Sequence, residues 1–144
     1  MPRVLLSIGA ASLVLVVSSS AQGPETPFRP YPHGAYDFVN AVAFSPDGDR
    51  MYHSSFLARV AAHRGQTLAA GAPELGIFES RRAADGTWGE PALLPFSGRY
   101  QDYEPTISPD GAFMIFNSTR PLPGVPARAE MPNNLWLSRR TATE

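Results

Sequence analysis

The sequence predicts an all-β fold built from repeated antiparallel sheets, and three observations carry this prediction. One four-residue phrase, Ser-Pro-Asp-Gly, occurs twice, at residues 45–48 and 108–111. The segments around it recur too, and the two copies lie 63 residues apart, from Asp47 to Asp110. Apolar runs flank each copy on both sides. Recurrence at a fixed spacing is typical of repeat proteins, so we expect two related units.

The repeated phrase predicts a tight turn between two strands. Proline presets φ at about −65° in the second turn position, aspartate bonds nearby backbone from the third, and glycine takes the fourth. A serine beside an aspartate also suggests a chemical site, but recurrence at one place between two strands favours a structural turn. The turn residues are Ser45, Pro46, Asp47, Gly48, Ser108, Pro109, Asp110 and Gly111.

In each unit, two more strands are predicted after the first strand. Residues 112–116 are apolar at almost every position, so we expect the strand after the second turn to be covered on both faces. A third strand is expected at 77–78 and again at 135–137, where short segments rich in strand formers end in charged residues. This echo has an offset of 58, from Arg82 to Arg140, so the preceding loop is five residues shorter in the second unit.

A fourth strand is predicted at residues 88–96, after a turn at 85–88. Pro91 and Pro95 restrict this strand to an outer edge. A short helix is expected within 57–70, as an insertion. Four antiparallel strands per repeat describe a β-propeller blade, so the expected fold is all-β: a partial β-propeller of about two four-stranded blades, the second incomplete.

Several elements then recur in an order that carries a family resemblance. They are the Ser-Pro-Asp-Gly turn after a short apolar strand, the next strand ending in serine, the Ser-Thr-Arg-Pro exit at 118–121 and the Asn-Leu-Trp-Leu-Ser strand at 134–138. Over residues 39–140 the chain resembles the TolB-type Pro-Asp β-propeller repeat, a WD-repeat-like family of bacterial envelope and secreted proteins. The first unit departs from it, because the 63-residue offset places Leu57 where the second unit has Arg120.

The N-terminus predicts export. Arg3 precedes an uncharged, mostly apolar run at 4–17, and small side chains follow up to Ala21, the pattern of a secretory signal peptide. A transmembrane anchor is the alternative, but a bilayer span needs about 20 apolar residues. No paired arginine precedes the run, which disfavours twin-arginine export. We expect a Sec-type signal, a periplasmic or secreted protein and no stable membrane span after cleavage.

Four segments are therefore expected. They are a signal peptide at 1–21, a Pro-rich extended linker at 22–36, a first blade at 37–98 and a truncated second blade at 99–144. Propellers typically close with about four to eight blades, so we expect a fragment of a larger propeller that lacks further blades. Assembly of several copies into a ring is the alternative.

Composition excludes several kinds of function. The chain has 144 residues with 12 basic and 13 acidic side chains, and its net charge of −1 argues against a nucleic-acid partner. It has no cysteine, which excludes disulfides and lipid attachment through cysteine. Its three histidines share no metal-ligand spacing, and no serine lies in a Gly-x-Ser-x-Gly turn. We expect no metal site and no cofactor.

The candidate binding residues follow from propeller geometry. In a propeller, the connections that enter the innermost strand of each blade lie on one face. The connections between the second and third strands of each blade lie on the same face. Tyrosines beside carboxylates and arginine suit peptide or sugar recognition, although entry loops need polar residues in any case. The candidates are Tyr100, Asp102, Tyr103, Glu104 and Arg120.

Two classes of function remain open at this point. The resemblance implies a non-enzymatic binding or scaffold module of the envelope, with a partner protein or peptide across the propeller face. The alternative is part of a secreted propeller hydrolase or lyase acting on polysaccharide or peptide, with its catalytic residues elsewhere. A shared fold does not choose between them.

Overall fold

The structure is a computed structural model that describes residues 28, 30, 39–126 and 132–139. It contains two antiparallel sheets and one short helix, which confirms the all-β prediction for this part of the chain. The first sheet has, in spatial order, β1 (Asn40–Phe44), β2 (Arg50–Phe56), β3 (Leu75–Arg81) and β4 (Ala92–Leu93). The second has β5 (Asp102–Ile107), β6 (Phe113–Ser118) and β7 (Asn134–Arg139).

Two predicted segments fall largely outside these residues. The predicted signal peptide at 1–21 lies outside them entirely, and of the linker at 22–36 they include only Phe28 and Pro30. Within the described ranges, no helix is long and apolar enough to cross a bilayer.

The two sheets pair their strands in the same register. Tyr52 on β2 faces Glu79 on β3, and Ile115 on β6 faces Leu137 on β7. These pairs are related by the offsets of 63 and 58 found in the sequence. The second sheet therefore repeats the first residue by residue across its central pairing.

A β-bulge also recurs at the same position. The β1–β2 register shifts between Asn40 and Ala43, and the β5–β6 register shifts between Tyr103 and Thr106. Ala41 and Glu104, with φ of 50° and 55°, occupy the bulges 63 residues apart. A positive φ is strained for residues with a side chain, so the repeat has kept an unusual backbone in both copies.

The core lies between the two sheets. Tyr52 and Ile77 of the first sheet pack with Met114 and Phe116 of the second, and all four side chains are buried. Burial of each large apolar side chain stabilises the fold by about 1.5–3 kcal/mol. Four partly buried side chains surround this cluster: Leu94, Phe96, Ile107 and Trp136.

The opposite face of the first sheet packs against helix α1 (Leu57–His63), which inserts between β2 and β3. Leu57 and Val60 contact Phe78, and Val39 packs against the same cluster. The helix begins at Leu57, where the sequence predicts it, but ends at His63, well before residue 70. The chain turns just after the helix, at Gly65, which has φ 64°.

The outer face of the second sheet is more exposed than the sequence predicts. This face is made by Ile115, Asn117, Leu135 and Leu137. Residues 112–116 were expected to be covered on both faces, yet Ile115 is 39% exposed, Leu135 73% and Leu137 52%. The strand alternates instead, because only its Met114 and Phe116 side meets the first sheet. The predicted fourth strand at 88–96 is also shorter, only Ala92–Leu93, since Pro91 and Pro95 have no N–H to donate.

Candidate functional site

The five candidate residues form two groups. Asp102, the first residue of β5, meets Arg120, which follows β6, and the half-buried Tyr100 lies beside them. Tyr103 is half-buried and Glu104 exposed on the same strand. The structure thus brings three of the five together at an internal ion pair and places the other two at the bulge of β5.

Asp102 and Arg120 form an ion pair inside the fold. Arg120 Nη2 donates to Asp102 Oδ1 at 2.8 Å, and the Asp102 side chain is fully buried. The Ser118 hydroxyl donates to the same carboxylate oxygen at 2.6 Å. It accepts hydrogen bonds from the Arg120 backbone N–H at 3.1 Å and from Nε at 3.0 Å. Removing one member of such a buried pair is strongly destabilising.

Four aromatic rings surround the Arg120 guanidinium. Its central carbon lies 4.9 Å from the centroid of Phe116, 5.3 Å from Trp136, 5.6 Å from Phe96 and 5.8 Å from Tyr100. A desolvated cation over ring faces is stabilised by about 2 kcal/mol. Arg120 therefore ties β6 and β7 to the connection between β4 and β5, and its exposed fraction is only 17%.

This network retains two hydrogen-bonding groups without partners among the described residues. They are the second carboxylate oxygen of Asp102, Oδ2, and the indole Nε1 of Trp136, both buried. Buried polar atoms are normally paired, so these two atoms are exceptions among the described residues.

The second group, Tyr103 and Glu104, lies at the bulge of β5. The Glu104 N–H donates to Ser54 Oγ at 2.9 Å, a hydrogen bond between the two sheets. The Glu104 carboxylate accepts from Asn117 Nδ2 at 2.6 Å, so Glu104 is bound to Asn117 rather than to Arg120. Gln101 accepts from the Leu75 N–H at 2.8 Å nearby. Of the five candidates, Glu104 is exposed, and Tyr103 beside it is half-buried.

The Ser-Pro-Asp-Gly phrases occupy the β1–β2 and β5–β6 turns and share one hydrogen-bond pattern. Ser45 Oγ donates to Asp47 Oδ1 at 2.5 Å and accepts from the Arg50 N–H at 2.9 Å. Ser108 does the same with Asp110 at 2.6 Å and with the Phe113 N–H at 3.1 Å. Each hydroxyl is held within its own turn, which is a structural arrangement.

A cavity of about 260 Å³ lies in the wedge between the two sheets, beside these turns. Tyr52 and Met114 contribute apolar lining, and Arg50 and Arg139 also border the space. Arg50 is paired with Glu79 at 3.1 Å. Phe96 lines the cavity and also stacks under Arg120, so the cavity adjoins the aromatic cluster.

His53 is the titratable group most altered by burial. Its side chain is fully buried and stacks on Phe78, with ring centroids 5.8 Å apart. Burial lowers the pKa of His53 to about 4, although a contact with the Ser54 carbonyl raises it in part. His53 is therefore neutral at physiological pH and acts as a core side chain.

Sequence reasoning singled out Arg120 and Asp102 but missed their aromatic surroundings and the cavity. Phe96 and Trp136 are distant from Arg120 along the chain, and only the folded sheets bring them together. One signal was present in the sequence: the 63-residue offset pairs Asp102 with Val39 and Arg120 with Leu57. A charged pair replaced by an apolar pair indicates a structural contact rather than a ligand site.

Comparisons with known proteins do not add a family. No protein-family model matches the chain, and no curated protein or solved structure is significantly similar to it. Among the residues that the structure describes, no three acidic or histidine side chains are grouped to hold a metal ion.

Proposed function

We propose that the chain is a β-propeller-repeat protein of the bacterial periplasm or cell exterior that acts as a non-enzymatic scaffold binding a protein or peptide. The proposal joins the TolB-type resemblance of residues 39–140 to the geometry of the two sheets. In this view each sheet belongs to one blade, the first at 37–98 and the second at 99–144.

The observation that carries the proposal is the matched stacking of the sheets. The face of the first sheet that bears Tyr52 and Ile77 is covered by the second sheet. The corresponding face of the second sheet bears Ile115 and Leu135, and both are exposed. A further blade on this outer face would repeat the same packing, as successive blades do in propellers.

The start of β5 supplies the proposed binding surface. Tyr103 and Glu104 are accessible there, and Asn117 holds the Glu104 carboxylate in place. The Asp102–Arg120 pair below fixes the beginning of the strand. A tyrosine and a carboxylate on a rigid strand suit recognition of a polar peptide segment.

Site-specific photo-crosslinking in a bacterial host tests the proposal. A photoreactive phenylalanine analogue at Tyr103 is expected to give one defined protein adduct in the periplasmic fraction. Glu104→Arg should abolish this adduct, because it reverses the charge beside position 103. The analogue at Ala58, exposed on α1, is the matched control and should give none. Mass spectrometry of the exported chain should find its N-terminus at Gln22.

Three outcomes would contradict the scaffold. They are equal adducts at both positions, retention of an unprocessed chain in the cytoplasm, and release of fragments from peptide or polysaccharide by the purified chain. The last result would favour the hydrolase or lyase alternative.

A further inference from the structure

We propose that the free edge of β7 binds an extended apolar peptide from a partner protein as an added strand. This edge lies one strand away from the Tyr103–Glu104 surface, because Asn117 on β6 pairs with both Tyr103 and Leu135. The inference goes beyond the proposed function because it does not require a closed propeller. The first sheet supplies the template, since β4 and the segment after it already bind β3 in this way.

The template segment, which is β4 and the residues after it, adds a strand to the first sheet through its backbone. β4 pairs with β3, with Leu93 facing Phe78 and Ala92 facing Glu79. Immediately after β4, the Leu94 N–H donates to the Ile77 carbonyl at 2.9 Å. The Ile77 N–H in turn donates to the Ser97 hydroxyl at 3.0 Å.

The side chains of the same segment cover the sheet. Leu94 and Phe96 pack against the cluster that contains Tyr52 and Ile77, and Ile77 has no exposed surface. A short extended segment thus extends the sheet with its backbone and covers apolar side chains with Leu and Phe.

β7 is the counterpart of β3, and none of the described residues covers it in this way. Because β2–β3 and β6–β7 share one register, Leu135 stands where Ile77 stands and directs its N–H and carbonyl to the free edge. Within the described part of the chain, β7 has no strand on that side. Leu135 is 73% exposed, whereas Ile77 is fully buried. An open backbone edge beside exposed apolar side chains is what strand addition uses.

The charge at the end of β7 predicts one more feature of the bound peptide. Arg81 on β3 is paired with Glu79 at 3.0 Å, but their counterparts on β7 are Arg139 and Leu137, so the carboxylate is missing. In the template the Gly89 N–H donates to the Arg81 carbonyl at 2.9 Å, which places Glu90 next to that position. A peptide with an acidic residue before its apolar residues, as in residues 90–97 (Glu-Pro-Ala-Leu-Leu-Pro-Phe-Ser), therefore complements Arg139.

A second copy of this chain is a poor source of the segment. Residues 91–97 of each copy are already bound to their own β3 through Leu94 and Ser97. Releasing them would expose Ile77 and open the core between the sheets. A segment of a different protein carries no such penalty.

Titration of the full ¹⁵N-labelled chain with a synthetic peptide of residues 89–98 tests the inference. The amides of Leu135 and Leu137 should shift saturably, and the Leu135 amide should exchange more slowly with solvent. N-methylation of the peptide at Leu94 removes its donor to Leu135 and should weaken binding about tenfold. Glu90→Gln in the peptide should weaken it about two- to fivefold.

Protein variants localise the effect. Leu135→Asp places a charge at an exposed position of the edge and should weaken binding at least about tenfold. Leu68→Asp changes a leucine that is 37% exposed in the loop between α1 and β3 and should leave binding unchanged. The N-methylated peptide keeps the test valid if Leu135→Asp disturbs folding.

Three results would overturn the inference. One is the absence of saturable shifts on β7, and another is equal binding of the N-methylated peptide. The third is a Leu135 amide that is already protected without peptide, because the edge would then be occupied by another part of the chain or by a second copy.

Discussion

Asp102 and Arg120 hold in the second sheet the positions that Val39 and Leu57 hold in the first, since both pairs are related by the 63-residue offset. In the second sheet the two side chains form a buried ion pair over aromatic rings. In the first, Val39 and Leu57 belong to an apolar cluster with Phe78. One chain thus contains a charged and an apolar solution to the same packing position.

This comparison predicts the result of exchanging one solution for the other. Asp102→Val or Arg120→Leu alone leaves a buried charge without its partner and should lower the free energy of unfolding by about 3–5 kcal/mol. The double variant copies the first sheet and should recover most of that loss. Urea denaturation at pH 7 measures all four proteins, and a double variant as unstable as the sum of the singles would refute the argument.

His53 predicts a pH dependence of stability. Its pKa is about 4 in the folded chain, because of burial, against about 6.5 when unfolded. The unfolded chain therefore binds the proton better, and stability present above pH 6.5 is lost as the pH falls towards 4. Between pH 7 and pH 5 this loss should be about 2 kcal/mol.

The counterpart of His53 in the second sheet is Phe116, which supplies a matched variant. His53→Phe should remove that part of the pH dependence when urea unfolding is compared at pH 7 and pH 5. His63→Gln, at the exposed end of α1, serves as the control and should retain it. An unchanged profile in His53→Phe would show that another group titrates.

At the scale of elements, the two turns have the same hydrogen bonds but different neighbours. Gly48 has φ 74° and nothing within 4 Å of an added Cβ. Gly111 has φ 70°, and an added Cβ there would lie 3.1 Å from Pro46 Cδ in the other turn. The second turn therefore belongs to the contact between the sheets, whereas the glycine of the first faces open space.

Alanine at each glycine separates backbone strain from contact between the sheets. Gly48→Ala should lower the free energy of unfolding by about 1–2 kcal/mol, because a side chain is strained at positive φ. Gly111→Ala should cost the same strain plus the displacement of Pro46, and so should be the more destabilising variant in urea denaturation. Equal losses would mean that the Pro46 contact carries no energy.

At the scale of the whole molecule, the stability of both sheets depends on the core that they share. Ile77 is fully buried between them, while Leu135, at the same position of the repeat, is 73% exposed. The second sheet covers the first, and its own outer face carries no equivalent cover among the described residues. Among the described residues, the first sheet is thus packed on both faces, by the second sheet and by α1, whereas the second sheet is packed on one.

This asymmetry predicts unequal effects of one kind of substitution. Ile77→Ala should lower the free energy of unfolding by about 2–5 kcal/mol and accelerate hydrogen exchange in β2 and β6 together. Leu135→Ala, the repeat-matched control, should change stability by less than about 0.5 kcal/mol. Faster exchange in β2 alone would contradict a shared core.

Strand order and turn positions could be predicted from the sequence because the repeat supplies two observations of each element. The Ser-Pro-Asp-Gly turns and the third strands follow from local residue types, which recur. The burial of 112–116 was predicted wrongly, because an apolar strand does not reveal what lies on its outer side. The bulges were not predicted, since Ala41 and Glu104 share no side-chain chemistry.

The candidate site was predictable only in part. Asp102 and Arg120 were recognised as important, but composition does not distinguish a ligand-binding pair from an internal ion pair. That distinction depends on Phe96 and Trp136, which the fold brings around the guanidinium from distant positions. The accessibility of Tyr103 and Glu104 likewise depends on the direction that the bulge gives to β5.

The bulge at Glu104 has a consequence for how the two units are joined. Its strained backbone donates a hydrogen bond to the side chain of Ser54 in the neighbouring unit, so part of the strain is offset by a contact between the units. Because the donor is a backbone N–H, any side chain other than proline at position 104 leaves this donor in place. The acceptor, in contrast, is the Ser54 hydroxyl, so the joint between the units depends on the residue at 54 and not on the one at 104.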